Sequence, residues 1–255
     1  KHSLELISSL AASGSAASRI LGAYLEGPFI NPSRGGSQDD RHIIDPDLDL
    51  LASLAIVASG WLRIVTIAPE LPGAGRLIDW LVNSGIVASI GHTAATCVQT
   101  LEAIARGCRL VTHLFNGMKP FHHRDPNTSG AVLSSPDVTA ELILDETHVH
   151  PVAARMAFNA MGTERVALVT DSTSVAATSS RDGTLGSRSI SLRDGAAYLE
   201  DGTLAGSALT MSDAVRNSID SCKLDIPSAI KSASLVPARV LGISDRLGSI
   251  SVGKY

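Results

Sequence analysis

The chain has 255 residues, of which 44% are hydrophobic and 18% are charged. A chain of this length can bury a large core, and this composition is typical of a folded α/β domain rather than a disordered segment. The formal net charge of −4 at pH 7 argues against a basic surface of the kind that binds nucleic acid or anionic membranes.

The cysteines Cys97, Cys108 and Cys222 are odd in number and show no Cys-x-x-Cys spacing. They predict neither a disulfide framework nor a zinc-thiolate site, and they fit a reducing compartment. The sequence shows no signal-peptide pattern and no apolar run long enough to cross a bilayer. We therefore expect a cytoplasmic protein with neither a nucleic-acid nor a membrane partner.

Six apolar segments are predicted to be strands. They are residues 19–25, 62–68, 86–90, Leu110–Val111, 137–144 and 165–169. Helical patterns alternate with them and follow them, at residues 4–12, 45–59, 75–84, 93–107, Pro151–Met161, 210–221 and 227–241. The predicted N-caps include Asp45, followed by a proline, and Thr93, and Gly107 is a predicted helix stop.

The regular alternation breaks after Asp171. Between residues 172 and 205, three Asp-Gly pairs, at 182–183, 194–195 and 201–202, separate short runs of alternating polarity. Asp-Gly pairs are typical of tight hairpin turns, so the region predicts a small β-meander, at about residues 178–206, inserted after a barrel strand.

The six alternations, with polar residues at the strand ends, favour an α/β fold in which a parallel sheet closes as a TIM-like (β/α) barrel over residues 1–246. A doubly wound open sheet is the alternative. No G-x-G-x-x-G or G-x-x-x-x-G-K-[S/T] loop follows any strand, and the polar candidates are not confined to one switch point. The chain opens inside a helical pattern, and residues 247–255 read as the start of a strand, so we expect this sequence to be a core whose flanking parts are missing.

Two histidines follow consecutive predicted strands. His92 stands in G-H-T and His113 in T-H-L. A single buried histidine is more often a hydrogen-bonded core residue than a ligand, but the carboxyl ends of neighbouring barrel strands converge, so these two can hold one metal ion. Glu26, at the end of the first strand in L-E-G-P-F, completes a two-histidine, one-carboxylate set. The alternative for Glu26 is a solvated loop glutamate.

This donor set suits zinc or a similar divalent ion, with one position left for water. Such an ion lowers the pKa of the water and polarises a substrate carbonyl. Asp171, in T-D-S after a strand, is the candidate general base, and His148 is the candidate donor to the carbonyl oxygen. A nucleophilic serine is disfavoured because there is no G-x-S-x-G motif.

The segment 116–130, N-G-M-K-P-F-H-H-R-D-P-N-T-S-G, is predicted to be an irregular loop and carries His122, His123 and Arg124. Loops with several donors are often functional, and the alternative is a solvated basic loop.

The runs L-E-G-P-F, G-H-T, T-H-L-F-N-G-M, D-x-x-H at 145–148, T-D-S and G-T-L-A-G-S occur in this order along nearly the whole chain. In this order they resemble the N-acetylglucosamine-6-phosphate deacetylases of the amidohydrolase superfamily. The resemblance implies hydrolysis of N-acetylglucosamine 6-phosphate to glucosamine 6-phosphate and acetate. It also implies a homodimer of barrels, each with a small β-sandwich built from both chain ends.

The resemblance also implies a role for each matching residue. Glu26, His92 and His113 match the metal ligands, Asp171 the catalytic aspartate, and His148 the histidine at the substrate carbonyl. The residues that match substrate contacts are Ser37, Gln38, Asn116, Gly117, Asp145, Leu204, Ala205 and Gly206. Arg124 matches an arginine that reaches the phosphate from the partner subunit.

The sequence departs from the family pattern in three places. Tyr24 stands where the family often has histidine, residues 35–38 read G-G-S-Q instead of K-G-A-H, and Glu146 replaces the glycine of D-G-x-H. These departures bear on substrate preference more than on the reaction. The family's other metal-binding segment would precede Lys1, so one metal site is expected, with zinc in it, and a second stays open.

Two other classes stay open at this level. One is a different amidohydrolase, such as a deaminase or a cyclic-amide hydrolase, against which the Arg124 loop and L-A-G-S argue. The other is a non-catalytic sugar-phosphate binding protein, against which the intact ligand set and Asp171 argue.

Overall fold

A parallel six-stranded sheet carries the candidate site residues. The structure is a computed structural model that describes residues 1–15, 18–176 and 178–255. The strands lie in the sheet in chain order, and the predicted parallel arrangement is confirmed. They are β1 (Ala23–Glu26), β2 (Leu62–Ile67), β3 (Val87–Ile90), β4 (Leu110–Val111), β5 (Thr139–Ile143) and β6 (Val166–Val169).

These strands form where short apolar runs can be buried on both faces, as parallel sheets require. Every residue of β2 except Arg63 is buried. In register, Val65 of β2 pairs with Ala88 of β3, and Ala140 of β5 pairs with Val166 of β6. The segment 19–22, predicted as the start of the first strand, lies outside β1.

Helices alternate with the strands, and most of them pack against the sheet. They are α1 (His2–Ser13), α2 (Leu48–Val57), α3 (Ala74–Asn83), α4 (Cys97–Arg106), α5 (Asn127–Ser134), α6 (Pro151–Met161), α7 (Met211–Asp220), α8 (Ile226–Ala233) and α9 (Leu235–Val240). In α3 the buried residues Ala74, Leu77, Ile78 and Leu81 recur at helical spacing, which gives the helix one apolar face. Within the described ranges, no helix is both long and apolar enough to span a bilayer.

Two predicted helix starts are wrong by a few residues. α4 begins after Thr96, whose side chain and that of Gln99 form a reciprocal capping box, so Thr93 is not the cap. The N-cap of α2 is Asp47 rather than Asp45, because the Asp47 side chain accepts the N–H of Leu50. In both cases a second capping residue lies close to the predicted one, and the side-chain hydrogen bonds to the first turn show which residue is the cap.

Two other helical predictions are also wrong. The predicted helix 227–241 is two helices, α8 and α9, which meet at Ser234. Pro237 has no N–H and its ring conflicts with the carbonyl of Ala233, which ends α8 there. The segment 116–130 is not wholly irregular, because α5 begins at Asn127, whose left-handed backbone (φ 52°) turns the chain into it.

The insertion after β6 is a four-stranded antiparallel meander in the order β10-β9-β8-β7. Its strands are β7 (Asp182–Leu185), β8 (Arg188–Arg193), β9 (Ala196–Leu199) and β10 (Leu204–Ser207). The Asp-Gly pairs at 194–195 and 201–202 lie at turns, as predicted. The pair at 182–183 lies inside β7, and Gly186 (φ 59°) makes that turn instead.

The main sheet is curled, since its two edge strands deliver residues to one cavity. Glu26 at the end of β1 and Asp171 after β6 both line it. Within the described residues β1 and β6 do not pair, so the six strands form an arc. Residues 247–255, all of which the structure describes, form no strand. The Arg19 guanidinium lies 4.4 Å from the ring centroid of Tyr255.

Candidate active site

Glu26, His92 and His113 converge at the carboxyl edge of the sheet. Glu26 ends β1, His92 follows β3 after one residue, and His113 follows β4 after one residue. Glu26 Oε1 lies 3.1 Å from His92 Nε2 and 2.9 Å from His113 Nε2, and the two ring nitrogens are 3.1 Å apart. The structure thus brings together the three predicted metal ligands.

The contacts around this cluster fit a cation. His92 Nδ1 donates to the carbonyl oxygen of Arg34 (2.8 Å), which leaves the lone pair of a neutral ring on Nε2. That lone pair faces a carboxylate oxygen of Glu26 and the Nε2 atom of His113, which are both potential metal ligands. Ligands about 2.0–2.2 Å from a tetrahedral zinc ion lie about 3.3–3.5 Å from one another, close to the separations seen here. The three side chains can therefore hold a divalent ion between them.

Electrostatics at this point also favour positive charge. Burial alone would raise the pKa of Glu26, but the hydrogen bonds with His113 and His92 outweigh it and hold that pKa well below its usual range. Burial alone would lower the pKa of His113, but the hydrogen bond to Glu26 raises it to about 9. The carboxylate therefore stays ionised and attracts a cation.

Three residues that follow strands have a left-handed backbone. The angle φ is 46° at His92, 30° at His113 and 48° at Asp171. Residues other than glycine rarely adopt this region, and each such residue costs on the order of 1–3 kcal/mol. The same local turn at three strand ends directs the chain across the carboxyl edge and places the three side chains around one cavity.

Asp171 lines this cavity, which has a volume of about 340 Å³, together with the three predicted ligands. Its backbone carbonyl accepts the N–H of Ser207 from β10 (2.9 Å), which fixes the residue against the meander. Burial raises the pKa of Asp171, and the nearby charge of Glu26 raises it further. A raised pKa suits a carboxylate that must accept a proton.

Asp145 and His148, both on the loop after β5, differ in their relation to the cavity. His148 lines the cavity, whereas Asp145 does not. The Asp145 carboxylate accepts hydrogen bonds from the His148 ring and from backbone N–H groups of its own loop. The structure therefore does not place Asp145 as a substrate contact.

The other predicted substrate contacts come from three segments that share the cavity wall. They are Ser37 and Gln38, Asn116 and Gly117, and Leu204, Ala205 and Gly206 of β10. Gln38 Nε2 donates to Glu26 Oε2 (2.9 Å), so this loop contacts a predicted metal ligand directly. A Cβ on Gly206 (φ 89°) would lie 2.8 Å from the carbonyl oxygen of Asp171, so β10 approaches the base this closely only with glycine there.

Arg124 lies outside the cavity of its own chain. It is exposed, and its Nη1 lies 2.8 Å from Nε2 of the neighbouring His123. The described residues therefore show no contact between Arg124 and the metal-ligand cluster.

Glu70 is a site residue to which the sequence reasoning gave no role. It follows β2 and accepts hydrogen bonds from Asn31 Nδ2 (2.8 Å), the Ala94 N–H (2.6 Å) and Thr93 Oγ1 (2.5 Å). The Asn31 N–H also donates to the carbonyl oxygen of His92 (2.9 Å). Glu70 thus holds the loops on either side of His92, and its position after a strand, like that of Glu26, was the available signal.

Arg188 of β8 was also missed. Its Nη1 donates to the carbonyl oxygens of Ser37 (3.2 Å) and Gln38 (3.4 Å). The meander therefore supports the loop that reaches Glu26, a contact between segments 150 residues apart that no local pattern reveals.

A cluster of polar side chains, buried except for Tyr24, lies beside the metal ligands Glu26 and His113. The Tyr24 hydroxyl contacts Thr112 Oγ1 (2.8 Å), which also contacts Ser89 Oγ (2.7 Å). Glu141 Oε2 accepts from the Tyr24 hydroxyl (3.3 Å), and burial raises the pKa of Glu141 to about 7. Tyr24 thus fills, with a hydroxyl network, the position where the related family often has histidine.

Comparison with known proteins identifies the family. Residues 7–255 match the profile of the amidohydrolase family. The chain belongs to the amidohydrolase family. It is 40% identical over 237 residues to the N-acetylglucosamine-6-phosphate deacetylase of Bacillus subtilis (strain 168), covering 92% of this chain and 59% of that protein. It is 36% identical over 241 residues to the N-acetylgalactosamine-6-phosphate deacetylase of Escherichia coli O157:H7, covering 94% and 64% respectively.

Solved structures confirm the predicted fold class. The D267A mutant of the Mycobacterium smegmatis N-acetyl-D-glucosamine-6-phosphate deacetylase, in complex with N-acetyl-D-glucosamine-6-phosphate, matches with a TM-score of 0.89 at 36% identity, over 94% of this chain and 64% of that one. The sheet and its helices are therefore those of an amidohydrolase-type barrel. The chain spans about three fifths of the length of the curated relatives it matches.

Proposed function

We propose that this chain carries the active site of a metal-dependent deacetylase that hydrolyses N-acetylglucosamine 6-phosphate to glucosamine 6-phosphate and acetate, in amino-sugar catabolism and cell-wall recycling. One observation carries the proposal: the Glu26, His92 and His113 donor set shares a cavity with Asp171 and His148. Relatives at 36–40% identity are deacetylases of amino-sugar 6-phosphates, which supports the same chemistry here.

The residues divide the reaction between them. Asp171 takes a proton from the attacking water while the water oxygen bonds to the amide carbon. The same proton then passes to the amide nitrogen as the C–N bond breaks, so the sugar leaves as an amine and acetate remains. His148 donates to the carbonyl oxygen as negative charge develops there. A divalent ion at the donor set would polarise the carbonyl and lower the pKa of the attacking water.

Zinc is the metal we propose, because two imidazoles and one carboxylate are ligands that zinc favours. The three donors account for one ion. A second ion is left open, since the described residues assemble only this one group of three potential ligands.

We further propose that Arg124 binds the 6-phosphate in the neighbouring subunit of a homodimer. It is exposed and does not line the cavity of its own chain, which supports a role in another subunit. A cytoplasmic location is proposed from the cysteine pattern. The net charge of −4 argues against a nucleic-acid or anionic-membrane partner.

An assay of acetate release from N-acetylglucosamine 6-phosphate tests the proposal. The release is measured before exhaustive chelation, after it, and again after zinc is restored. We expect release that chelation abolishes and zinc restores. Parallel assays with N-acetylgalactosamine 6-phosphate and with unphosphorylated N-acetylglucosamine rank the substrates. Turnover of a cyclic amide or an amine substrate without acetate release would indicate another amidohydrolase activity. Tight sugar-phosphate binding without turnover would indicate a binding protein.

A further inference from the structure

Asp145 and His148 form a buried pair beside the cavity. Asp145 Oδ2 lies 2.6 Å from His148 Nδ1, and each side chain is only 5% exposed. Asp145 Oδ1 accepts the N–H groups of Thr147 (3.0 Å) and His148 (2.8 Å). Both oxygens are therefore engaged within one loop, and the carboxylate has a single orientation relative to the ring.

This pair determines which nitrogen of His148 can meet a ligand. Burial alone would raise the pKa of Asp145, but the hydrogen bonds with His148 outweigh it and lower that pKa, so Asp145 is a carboxylate. A carboxylate oxygen at 2.6 Å requires the hydrogen to lie on His148 Nδ1. No described residue bonds Nε2, which is the ring nitrogen left for the cavity that His148 lines.

The fixed hydrogen on Nδ1 limits what His148 can do. A neutral ring of this tautomer presents only a lone pair at Nε2, which repels the oxygen of a substrate carbonyl. Only the protonated ring carries a second N–H, at Nε2, and can donate. The hydrogen bond that the deacetylation requires is thus available in the charged form alone.

We propose that Asp145 is a positioning residue that locks the His148 tautomer, so that His148 acts on the substrate only as a cation donating from Nε2. The inference rests on the proposed deacetylase function for its catalytic consequence, and on the contacts of Asp145 for the tautomer. It also replaces the predicted substrate contact of Asp145 with a role exerted through His148.

Other charged groups surround His148 at the cavity. Asp171 stands on the loop after β6, and Glu26, His92 and His113 lie across the same cavity. On its own loop, Glu146 is exposed and accepts a hydrogen bond from Ser221 at the end of α7. Glu146 therefore provides a control carboxylate next to Asp145 that does not bond the ring.

The proposal predicts an unusual result for Asp145→Asn. In the parent only the charged ring can donate from Nε2, so kcat/KM should be lost where the ring is neutral. In the variant, the introduced side-chain amide can donate to Nδ1, so a neutral ring carries its hydrogen on Nε2 and still donates. Because a neutral donor is weaker than a charged one by about tenfold in the rate it supports, kcat should fall roughly 10-fold, with KM little changed. The fall of kcat/KM at high pH should be shallower in Asp145→Asn than in the parent. Glu146→Gln should resemble the parent both in kcat and in this pH dependence.

Nitrogen NMR of histidine-labelled protein tests the tautomer directly, with His148→Gln used to assign the signals. At a pH where His148 is neutral, we expect its hydrogen on Nδ1 in the parent and on Nε2 in Asp145→Asn. A neutral parent ring with its hydrogen on Nε2 overturns the proposal, whether or not the protein releases acetate. An Asp145→Asn variant whose kcat/KM falls as steeply at high pH as the parent's also overturns the proposal. Absence of acetate release with the expected tautomer would instead count against the proposed function alone.

Discussion

Replacing Glu70 by alanine should loosen the loop that delivers His92 to the metal site. The Glu70 carboxylate accepts hydrogen bonds from Asn31, Thr93 and Ala94, and the last two follow His92 directly. These contacts connect the ends of β1, β2 and β3, so their loss affects the position of His92 more than the rest of the sheet.

The magnitude follows from the donors that lose their acceptor. The Thr93 side chain is fully buried, while Asn31 and Ala94 are half-buried and can regain water. At the lower end of the usual range, about 1 kcal/mol for each of these three donors, Glu70→Ala should lower the free energy of unfolding by about 3 kcal/mol. For a chain of this size that corresponds to a fall in Tm of about 6–12 °C.

Thermal unfolding and metal analysis of the purified protein measure the two effects. Glu70→Gln keeps one acceptor oxygen and can donate to Thr93, so it should lower the free energy of unfolding by less than Glu70→Ala does. Glu102→Ala removes an exposed glutamate from α4 and should leave Tm unchanged. A Glu70→Ala variant with the parent's Tm and the parent's metal affinity would refute the view that this carboxylate positions His92.

The remaining predictions concern the site itself. His113→Ala should empty the metal site, as measured by metal analysis, and a variant that retains the ion in full would remove His113 from the ligands. Asp171→Asn should keep metal and substrate binding but lower kcat by roughly 10²–10⁴-fold, and a loss of only a few-fold would place the base elsewhere. Arg124→Ala should raise KM for N-acetylglucosamine 6-phosphate far more than for the unphosphorylated sugar. Co-refolding Arg124→Ala chains with Asp171→Asn chains should restore activity if Arg124 serves the neighbouring subunit, and exchanged dimers that stay inactive would contradict that role.

The strand order and the three predicted metal ligands followed from local sequence rules. A histidine or glutamate after a short apolar run lies at the carboxyl edge of a parallel sheet wherever the run is a strand, and no long-range information is needed. The cap of α4 was harder, because Thr93 and Thr96 are both capping residues. Two contacts decide between them. Gln99 and Thr96 cap each other reciprocally, whereas the Thr93 hydroxyl donates to Glu70.

Contacts between distant loops could not be predicted in the same way. Arg188 donates to backbone carbonyl groups of a distant loop, and such groups are the same in every residue. Glu70 accepts from one backbone N–H and from two side chains that belong to the segments after β1 and β3. Asp145 was predicted to contact the substrate because it matches a substrate contact of the family that the sequence resembles. The distances to His148 and to its own loop, which no spacing encodes, show that both of its oxygens accept hydrogen bonds within that loop.

The left-handed backbone at His92, His113 and Asp171 implies a conflict between heat resistance and activity. At about 1–3 kcal/mol each, the three residues together cost an amount comparable with the net stability of many proteins. Glycine removes this cost, and asparagine reduces it. Selection for thermal tolerance alone should therefore favour glycine or asparagine at these positions. The most heat-resistant variants would then be those that no longer bind the metal or accept a proton.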